Sequence, residues 1–260
     1  MIIVFSNQKG GVGKTTTALN LGSFLAEKGK KVLLVDLDPQ SNLTSGIGYS
    51  IHEKESDTIP EKPKHKTVYD VLIGNKEFSE VFVSTQIENL FLVPAGIELA
   101  GAEIELVSLM SRETILRRKI QNVRNDFDYI LLDCPPSLGL ITINALTAAE
   151  QLIIPVQCEY FALEGLGQLI KTFNIVRKNL NPTLELRGVV LTMFDSRTRL
   201  SKEIVAEVKN FFKDKVFNTI IPRNVRLSES PSYGKPITLY DKSSEGYKAY
   251  EKLAKEVLIN

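Results

Sequence analysis

Residues 7–16 read NQKGGVGKTT, and the fold assignment rests on this stretch. It nearly matches glycine, four arbitrary residues, glycine, lysine and then serine or threonine, which is the pattern of a phosphate-binding loop. Gly13, Lys14 and Thr15 match the end of this pattern, but Gln8 stands where the first glycine is expected, and Lys9 adds a second lysine. Any interpretation must explain both the missing glycine and the added charge.

The composition is that of an ordinary globular chain. Its 260 residues are 43% hydrophobic and 24% charged, and we expect a single domain over residues 1–260. The net charge of +1 excludes a strong overall positive field, so DNA binding would need a local basic patch. Cys134 and Cys158 indicate neither a disulfide framework nor a metal cluster. No apolar run approaches the roughly 18 residues needed to cross a bilayer, and no leader peptide is evident, which favours a cytoplasmic protein that does not span a membrane.

Short apolar runs alternate with segments of helical periodicity. Because the runs are continuous rather than alternating, we expect strands buried on both faces. The pattern predicts an α/β fold with a mostly parallel, twisted sheet flanked by helices. The predicted strands are 2–5, 31–36, 89–95, 129–133, 152–156, 187–192 and 218–222, and the predicted helices include 15–28, 100–123, 164–179 and 200–213. Residues 50–66, with ten charged or histidine residues, predict a polar loop.

The glycine-rich stretch lies between a predicted strand and a predicted helix, as a phosphate loop should. Glycines allow backbone N–H groups to converge on phosphate oxygens, and the helix dipole adds positive potential. We expect Lys14 to reach the β- and γ-phosphates, Thr15 to ligate magnesium, and Thr16 to bond a phosphate nearer the sugar. The predicted loop comprises Gly10, Gly11, Val12, Gly13, Lys14, Thr15 and Thr16.

Acidic residues follow two of the predicted strands. Asp36 ends the strand at 31–36 and Asp38 follows two residues later, and Asp133 ends the strand at 129–133. Ligands of open parallel sheets bind outside the carboxyl ends of the strands, so these acids should converge on the loop. Asp133 has the position of a Walker B acid that holds Mg²⁺ through water. Of Asp36 and Asp38, one is expected to orient the attacking water and the other to support the metal, with capping or turn roles open for either.

Several motifs carry a family resemblance. KGGVGKTT (9–16), DLDPQ (36–40) and DCPPSLG (133–139) resemble the deviant Walker A, SIMIBI-type branch of the P-loop NTPases. NALTAAEQLIIPVQCEYFALEGL (144–166), LTMFDSRT (191–198) and IPRNVRLSESPSYGKPI (221–237) resemble the ParA/Soj family, which partitions plasmids and chromosomes. The resemblance covers nearly the whole chain apart from 50–66. It implies an ATPase that uses ATP and Mg²⁺.

The resemblance also implies roles for individual residues. Lys9 matches the signature lysine, which reaches across a nucleotide-sandwich dimer to the phosphates bound by the other subunit. Asp38 matches the catalytic aspartate of a slow hydrolysis, which leaves the metal-supporting role to Asp36. Pro222 and Asn224 match residues that frame and hydrogen-bond the base.

DNA and protein partners are implied in the same way. Arg197 and Arg226 would by themselves be solvated charges, but they match arginines that contact DNA without sequence preference. The resemblance implies an ATP-dependent homodimer that binds double-stranded DNA, a nucleoid-associated location, and a ParB-like partner that stimulates hydrolysis. Because the chain begins with its first strand, no N-terminal helix-turn-helix domain is expected.

Three other interpretations remain open. A MinD-like membrane ATPase would share Lys9, but it needs a basic amphipathic C-terminal helix, whereas GYKAYEKLAKEVLIN (246–260) predicts a helix packed on the body. A nitrogenase-type iron protein would need cysteines placed to share a cluster between subunits. A metabolic ligase or kinase of this fold would need a substrate site, for which no residues stand out.

Overall fold

The structure is a computed structural model that describes residues 1–51, 66–160, 163 and 165–259. The polar loop predicted at 50–66 therefore lies outside the described residues, apart from its ends.

The described residues form one eight-stranded sheet, in which neighbouring strands follow the order β3-β4-β2-β5-β1-β6-β7-β8. Its strands are β1 (Ile2–Phe5), β2 (Val32–Asp36), β3 (Val83–Ser84), β4 (Leu90–Val93), β5 (Tyr129–Asp133), β6 (Gln151–Gln157), β7 (Glu185–Phe194) and β8 (Val216–Pro222). All seven predicted strands are present, and every pair is parallel except β3 with β4. The predicted mostly parallel sheet is thus confirmed, with one short antiparallel edge strand that the sequence did not indicate.

Helices cover both faces of the sheet. They are α1 (Lys14–Glu27), α2 (Asn42–Gly46), α3 (Val68–Leu72), α4 (Leu99–Val107), α5 (Ile115–Ile120), α6 (Leu140–Ala148), α7 (Leu166–Asn179), α8 (Arg199–Phe212), α9 (Val225–Glu229), α10 (Ile237–Tyr240) and α11 (Glu245–Ile259). Buried residues of α3 to α8 form the core on one face, and those of α1, α10 and α11 form the core on the other.

The continuous helix predicted at 100–123 is wrong. The chain leaves α4 after Val107, and α5 begins only at Ile115. Between them Ser111 takes a left-handed conformation with φ of 53°. The buried Asn144 side chain holds the break open, because it donates to the Arg112 carbonyl (2.7 Å) and accepts from the Leu116 amide (3.1 Å). Helical periodicity on either side concealed this interruption.

Register brings the predicted acids to one edge. β1, β2 and β5 are buried along their whole length, as the continuous apolar runs indicated. β5 lies between the other two strands, so that Asp133 is level with both Phe5 and Asp36. The segment that follows Phe5 therefore leaves the sheet beside both carboxylates.

Close packing of α1 on the sheet depends on Gly22. A Cβ at this position would lie 2.7 Å from Leu34 Cδ2 and 3.3 Å from Leu131 Cδ1. We expect Gly22→Ala to lower the free energy of unfolding by about 1–3 kcal/mol, because overpacking forces the core apart. Gly167→Ala is the matched control, since a Cβ there meets nothing within 4 Å on α7. The control should be neutral or stabilising by up to about 1 kcal/mol, given alanine's higher helix propensity. Urea unfolding measures both, and equal effects would contradict the packing argument.

Candidate nucleotide-binding site

The loop between β1 and α1 has the backbone of a phosphate cradle. Gly11 and Gly13 have φ of 72° and 87°, a left-handed conformation that glycine adopts without strain. Gly13 immediately precedes α1, so the first N–H groups of a 14-residue helix end at the loop. Beside it lies a cavity of about 440 Å³. Its lining includes Gly10, Gly11, Gly13, Lys14, Thr15, Thr16, Asp38 and Met193.

Two polar residues outside the motif hold the loop in place. Asn7 donates from Nδ2 to the Pro155 carbonyl (2.7 Å) and accepts at Oδ1 from the Lys9 amide (3.0 Å). Thr192 donates from Oγ1 to the Val12 carbonyl (2.8 Å). The loop is thus tied to β6 and β7. The sequence analysis missed both anchors, although a polar residue at the end of an otherwise apolar strand was a usable signal.

Lys14 lies inside the loop rather than in solvent. Its side chain is buried, and Nζ donates to the Lys9 carbonyl at 3.1 Å. Burial lowers the pKa of Lys14, whereas the nearby Asp133 carboxylate acts in the opposite direction. The ammonium is therefore held beside the cavity by one weak backbone contact, which an anionic ligand can replace at little cost.

Asp133 is a buried carboxylate whose two oxygens are available to a ligand. It is completely buried, and neither of its oxygens has a hydrogen-bond partner within the described residues. Burial, followed by the charge of Asp36, raises the pKa of Asp133 well above its ordinary value, while the Thr15 hydroxyl and Lys14 act in the opposite direction. Buried polar groups normally have partners. A carboxylate and a threonine hydroxyl fit Mg²⁺ that keeps most of its water, and the described residues contain no group of three or more His, Cys, Asp or Glu side chains that could hold a metal ion.

Asp36 and Asp38 have different environments. Asp36 is fully buried and accepts from the Thr44 amide (2.9 Å), the Thr44 hydroxyl (2.7 Å) and the Asp38 amide (3.1 Å). Burial raises the pKa of Asp36 to about 6 despite these bonds. Asp38 lines the cavity, and its Oδ1 accepts from the Gln40 amide (2.9 Å). The structure therefore brings Asp38 to the ligand space and places Asp36 behind it as an anchor of α2.

The two residues assigned to the base lie next to the phosphate cavity. A second cavity, of about 200 Å³, is lined by Pro222 and Asn224 together with apolar residues and Tyr250. It shares Gly13, Thr16, Met193 and Pro231 with the phosphate cavity. Asn224 Oδ1 accepts from the Leu227 amide (3.3 Å) and caps α9. Because they share these residues, the two cavities adjoin, and together they offer a continuous cleft beside the glycine loop in which a nucleotide would fit.

Lys9 lies at the rim of the same loop. Its backbone is fixed by Asn7 and Lys14, and its side chain is half-buried. Among the described residues, no carboxylate pairs with its ammonium group. The sequence therefore places a second, unpaired cation within a few residues of Lys14.

The candidate DNA arginines are exposed but paired. Arg197 makes a two-pronged contact with Asp195, with Nε–Oδ1 at 2.9 Å and Nη2–Oδ2 at 2.7 Å. Arg226 lies 3.0 Å from Glu229 and 3.4 Å from Asp241. Each guanidinium thus meets a carboxylate of its own chain, which the sequence analysis did not anticipate.

Comparison with known proteins agrees with this geometry. A family model described as "AAA domain" matches residues 1–186. The chain is 55% identical to sporulation initiation inhibitor protein Soj of Bacillus subtilis, covering 100% of this chain and 98% of that protein. It is 50% identical to chromosome-partitioning ATPase Soj of Treponema pallidum, covering 98% and 96%. The chain belongs to the ParA/Soj family.

A solved structure bears on the cofactors. Cobyrinic acid a,c-diamide synthase from Mycobacterium smegmatis, with a bound ATP analogue and magnesium, superposes with a TM-score of 0.83 at 39% identity. The match covers 99% of this chain and 93% of that one. The fold is that of the P-loop ATPases. The chain is an ATP hydrolase of a chromosome-partitioning family, with ATP and Mg²⁺ as its cofactors.

The buried Asp133 should leave a pH signature in the chain without ligand. Between the ordinary value of 3.8 and the raised pKa in the folded state, the folded chain keeps a proton that the unfolded chain has lost. The contribution of Asp133 to wild-type stability should therefore fall as pH rises through this window, by about 1.4 kcal/mol for each pH unit. Asp133→Asn cannot ionise, so its stability relative to wild type should grow as pH rises above the ordinary aspartate value of 3.8.

Urea unfolding at several pH values, without nucleotide or magnesium, measures this difference. Asp126→Asn is the control, because that aspartate is exposed and precedes β5 at the other end of the strand from Asp133. Parallel pH profiles for wild type and Asp133→Asn would contradict the inferred desolvation of Asp133.

Proposed function

We propose that the chain binds ATP and Mg²⁺ in this cleft and forms a nucleotide-sandwich dimer that binds double-stranded DNA without sequence preference. In this proposal a ParB-like partner stimulates slow hydrolysis, and the cycle drives chromosome or plasmid partitioning. The observation that carries the proposal is that Lys9, which directly precedes Gly10 of the phosphate cavity, has no carboxylate partner among the described residues, although Lys14 already lines that cavity. Residues 1–260 act as one ATPase domain in this proposal.

The Lys9 ammonium would find its partner in the phosphates bound by a second copy of the chain. Its amide and carbonyl are committed to Asn7 and Lys14, so the backbone is rigid while the ammonium is available. A cation supplied across an interface can neutralise γ-phosphate charge, as an arginine finger does. Because ADP lacks the γ-phosphate, the same contact makes dimerisation depend on ATP.

The chain's own groups support slow hydrolysis. Lys14 and the loop N–H groups, which belong to Gly10–Thr16, would stabilise charge on the phosphates. Asp38 would orient the attacking water from its position on the cavity wall. Thr15 and Asp133 would hold Mg²⁺, which supplies further charge neutralisation, and Asp36 would support them by fixing α2. Asp38 is the one described carboxylate on the cavity wall, and a single water-orienting group without a second base fits a slow cycle.

Removing the Lys9 side chain should weaken ATP-dependent dimerisation. In an Asp38→Ala background, chosen to keep ATP intact, we expect Lys9→Ala to weaken ATP-dependent dimerisation at least about tenfold, since charge-assisted hydrogen bonds contribute about 1.5–3 kcal/mol each. Light scattering with saturating ATP and Mg²⁺ reports the mass. Lys30→Ala is the control, because Lys30 precedes β2 at the opposite edge of the sheet. A Lys9→Ala chain that still dimerised normally would refute the proposed role.

The ion pairs of Arg197 and Arg226 reduce the attraction that a single chain would have for DNA. Asp195, Glu229 and Asp241 offset Arg197 and Arg226, so one chain should attract DNA only weakly. Phosphates must compete with these carboxylates. A dimer would present both arginines twice, and phosphate contacts would then add to each other.

Altering the pairing should change DNA affinity in both directions. Asp195→Asn should strengthen ATP-dependent DNA binding severalfold, because Arg197 loses its competing anion. Arg197→Ala with Arg226→Ala should weaken binding and reduce its salt dependence. Arg124→Ala is the control, since Arg124 is paired with Glu150 at the opposite edge. Fluorescence anisotropy on a DNA duplex measures each, and unchanged affinity in both variants would show that DNA binds elsewhere.

The alternatives gain no support from the described residues. α11 packs its apolar face, which includes Ala249, Tyr250 and Leu253, into the core, so the predicted packed helix is confirmed. No described helix is long and apolar enough to cross a bilayer. Cys134 and Cys158 are each 1% exposed, which is too buried to share a cluster between copies. The activity named for the Mycobacterium protein belongs to a chain 39% identical, less similar than the Soj proteins.

A further inference from the structure

Met193 has a backbone conformation that its residue type disfavours. Its φ is 53°, in the left-handed region. The other non-glycine residues with positive φ in the described chain lie in loops or at helix ends, whereas Met193 lies within β7. A glycine would adopt this conformation without strain. The contacts of the methionine side chain should therefore explain why this residue is present despite the strain.

Neighbouring hydrogen bonds impose the strain. The Thr192 carbonyl accepts from the Cys158 amide (3.0 Å), and the Phe194 carbonyl accepts from the Arg223 amide (2.9 Å). The Thr192 hydroxyl is committed to Val12. Pairing between β7 and β8 shifts register between Leu191 and Phe194. Met193 is thus the extra residue of a bulge, a feature that re-aims side chains beside functional sites.

The bulge places Met193 where the two cavities meet. Met193 lines both the phosphate cavity and the base cavity. A nucleotide that spans them would put its sugar and base against this residue, since its phosphates would occupy the glycine loop. A thioether is polarisable and adapts its shape to an aromatic ring.

We propose that Met193 is a nucleotide-contact residue, whose strained backbone directs its thioether onto the sugar and base of the bound nucleotide. The inference rests on the proposed position of ATP in the cleft. It assigns β7 a direct part in recognition, in addition to anchoring the phosphate loop.

ADP is the suitable probe, because in the proposed cycle it does not drive dimerisation, and binding is then measured on single chains. Met193→Gly and Met193→Asn both tolerate the left-handed conformation and remove the thioether. We expect each to raise the ADP dissociation constant roughly five- to tenfold, with Met193→Leu intermediate. Thermal unfolding without nucleotide should show both variants folded. Met110→Asn, at a residue 92% exposed on another surface, is the matched control and should bind ADP as wild type does.

Tripolyphosphate, which lacks sugar and base, separates direct contact from a loosened loop. Calorimetry should give the same tripolyphosphate affinity for wild type and Met193→Gly. Unchanged ADP affinity in both the Gly and Asn variants, or an equal loss of ADP and tripolyphosphate affinity, would overturn the inference. Lys14→Ala, with Met193 unchanged, tests the proposed position of the nucleotide separately. If this variant bound ADP as tightly as wild type does, that position would be refuted.

Discussion

A buried ammonium and a buried carboxylate, Lys14 and Asp133, impose the constraint on which the rest of the site depends. Both have lost contact with water. Burial lowers the pKa of Lys14 and raises the pKa of Asp133, so it favours the neutral form of each group. Neither gains a strong partner from the described chain, since Lys14 donates to one carbonyl, and the Thr15 hydroxyl and Lys14 offset only part of the effect of burial on Asp133. A ligand that carries phosphate charge and a hydrated divalent cation satisfies both groups at once. The strands, the loop and the close packing of α1 all keep these two groups at the same edge of the sheet.

β7 connects several parts of this arrangement. Thr192 holds the phosphate loop, Met193 lines both cavities, and Asp195 pairs with Arg197 two residues further on. The two ends of the proposed activity, nucleotide recognition and DNA contact, thus lie within six residues of one strand and its following turn. Strain at Met193 is tolerated because hydrogen bonds on both sides fix the backbone.

In the proposed function, the exposed arginines would let a nearly neutral chain bind a polyanion in a regulated way. Each is paired with a carboxylate of its own chain, and exposed pairs of this kind contribute only about 0–1 kcal/mol. Phosphates that approach several arginines at once can displace such weak partners. Affinity should therefore depend on how many arginines are presented together, which is a property of the assembly rather than of one chain.

The sequence by itself determined the seven predicted strands, the phosphate loop and the acids at the strand ends, because continuous apolar runs and glycine spacing are local properties. It also indicated a packed C-terminal helix from the spacing of residues such as Ala249 and Leu253. Only the tertiary structure decided that Asp36 accepts several hydrogen bonds, whereas the oxygens of Asp133 have no recorded partner among the described residues. It also decided how Asn7 and Thr192 hold the loop, and where Asn144 interrupts the predicted helix at 100–123. It alone placed Met193 between two cavities and Asp241 beside Arg226. These features depend on contacts between residues far apart in the chain, and no local pattern encodes the distance between such residues after folding.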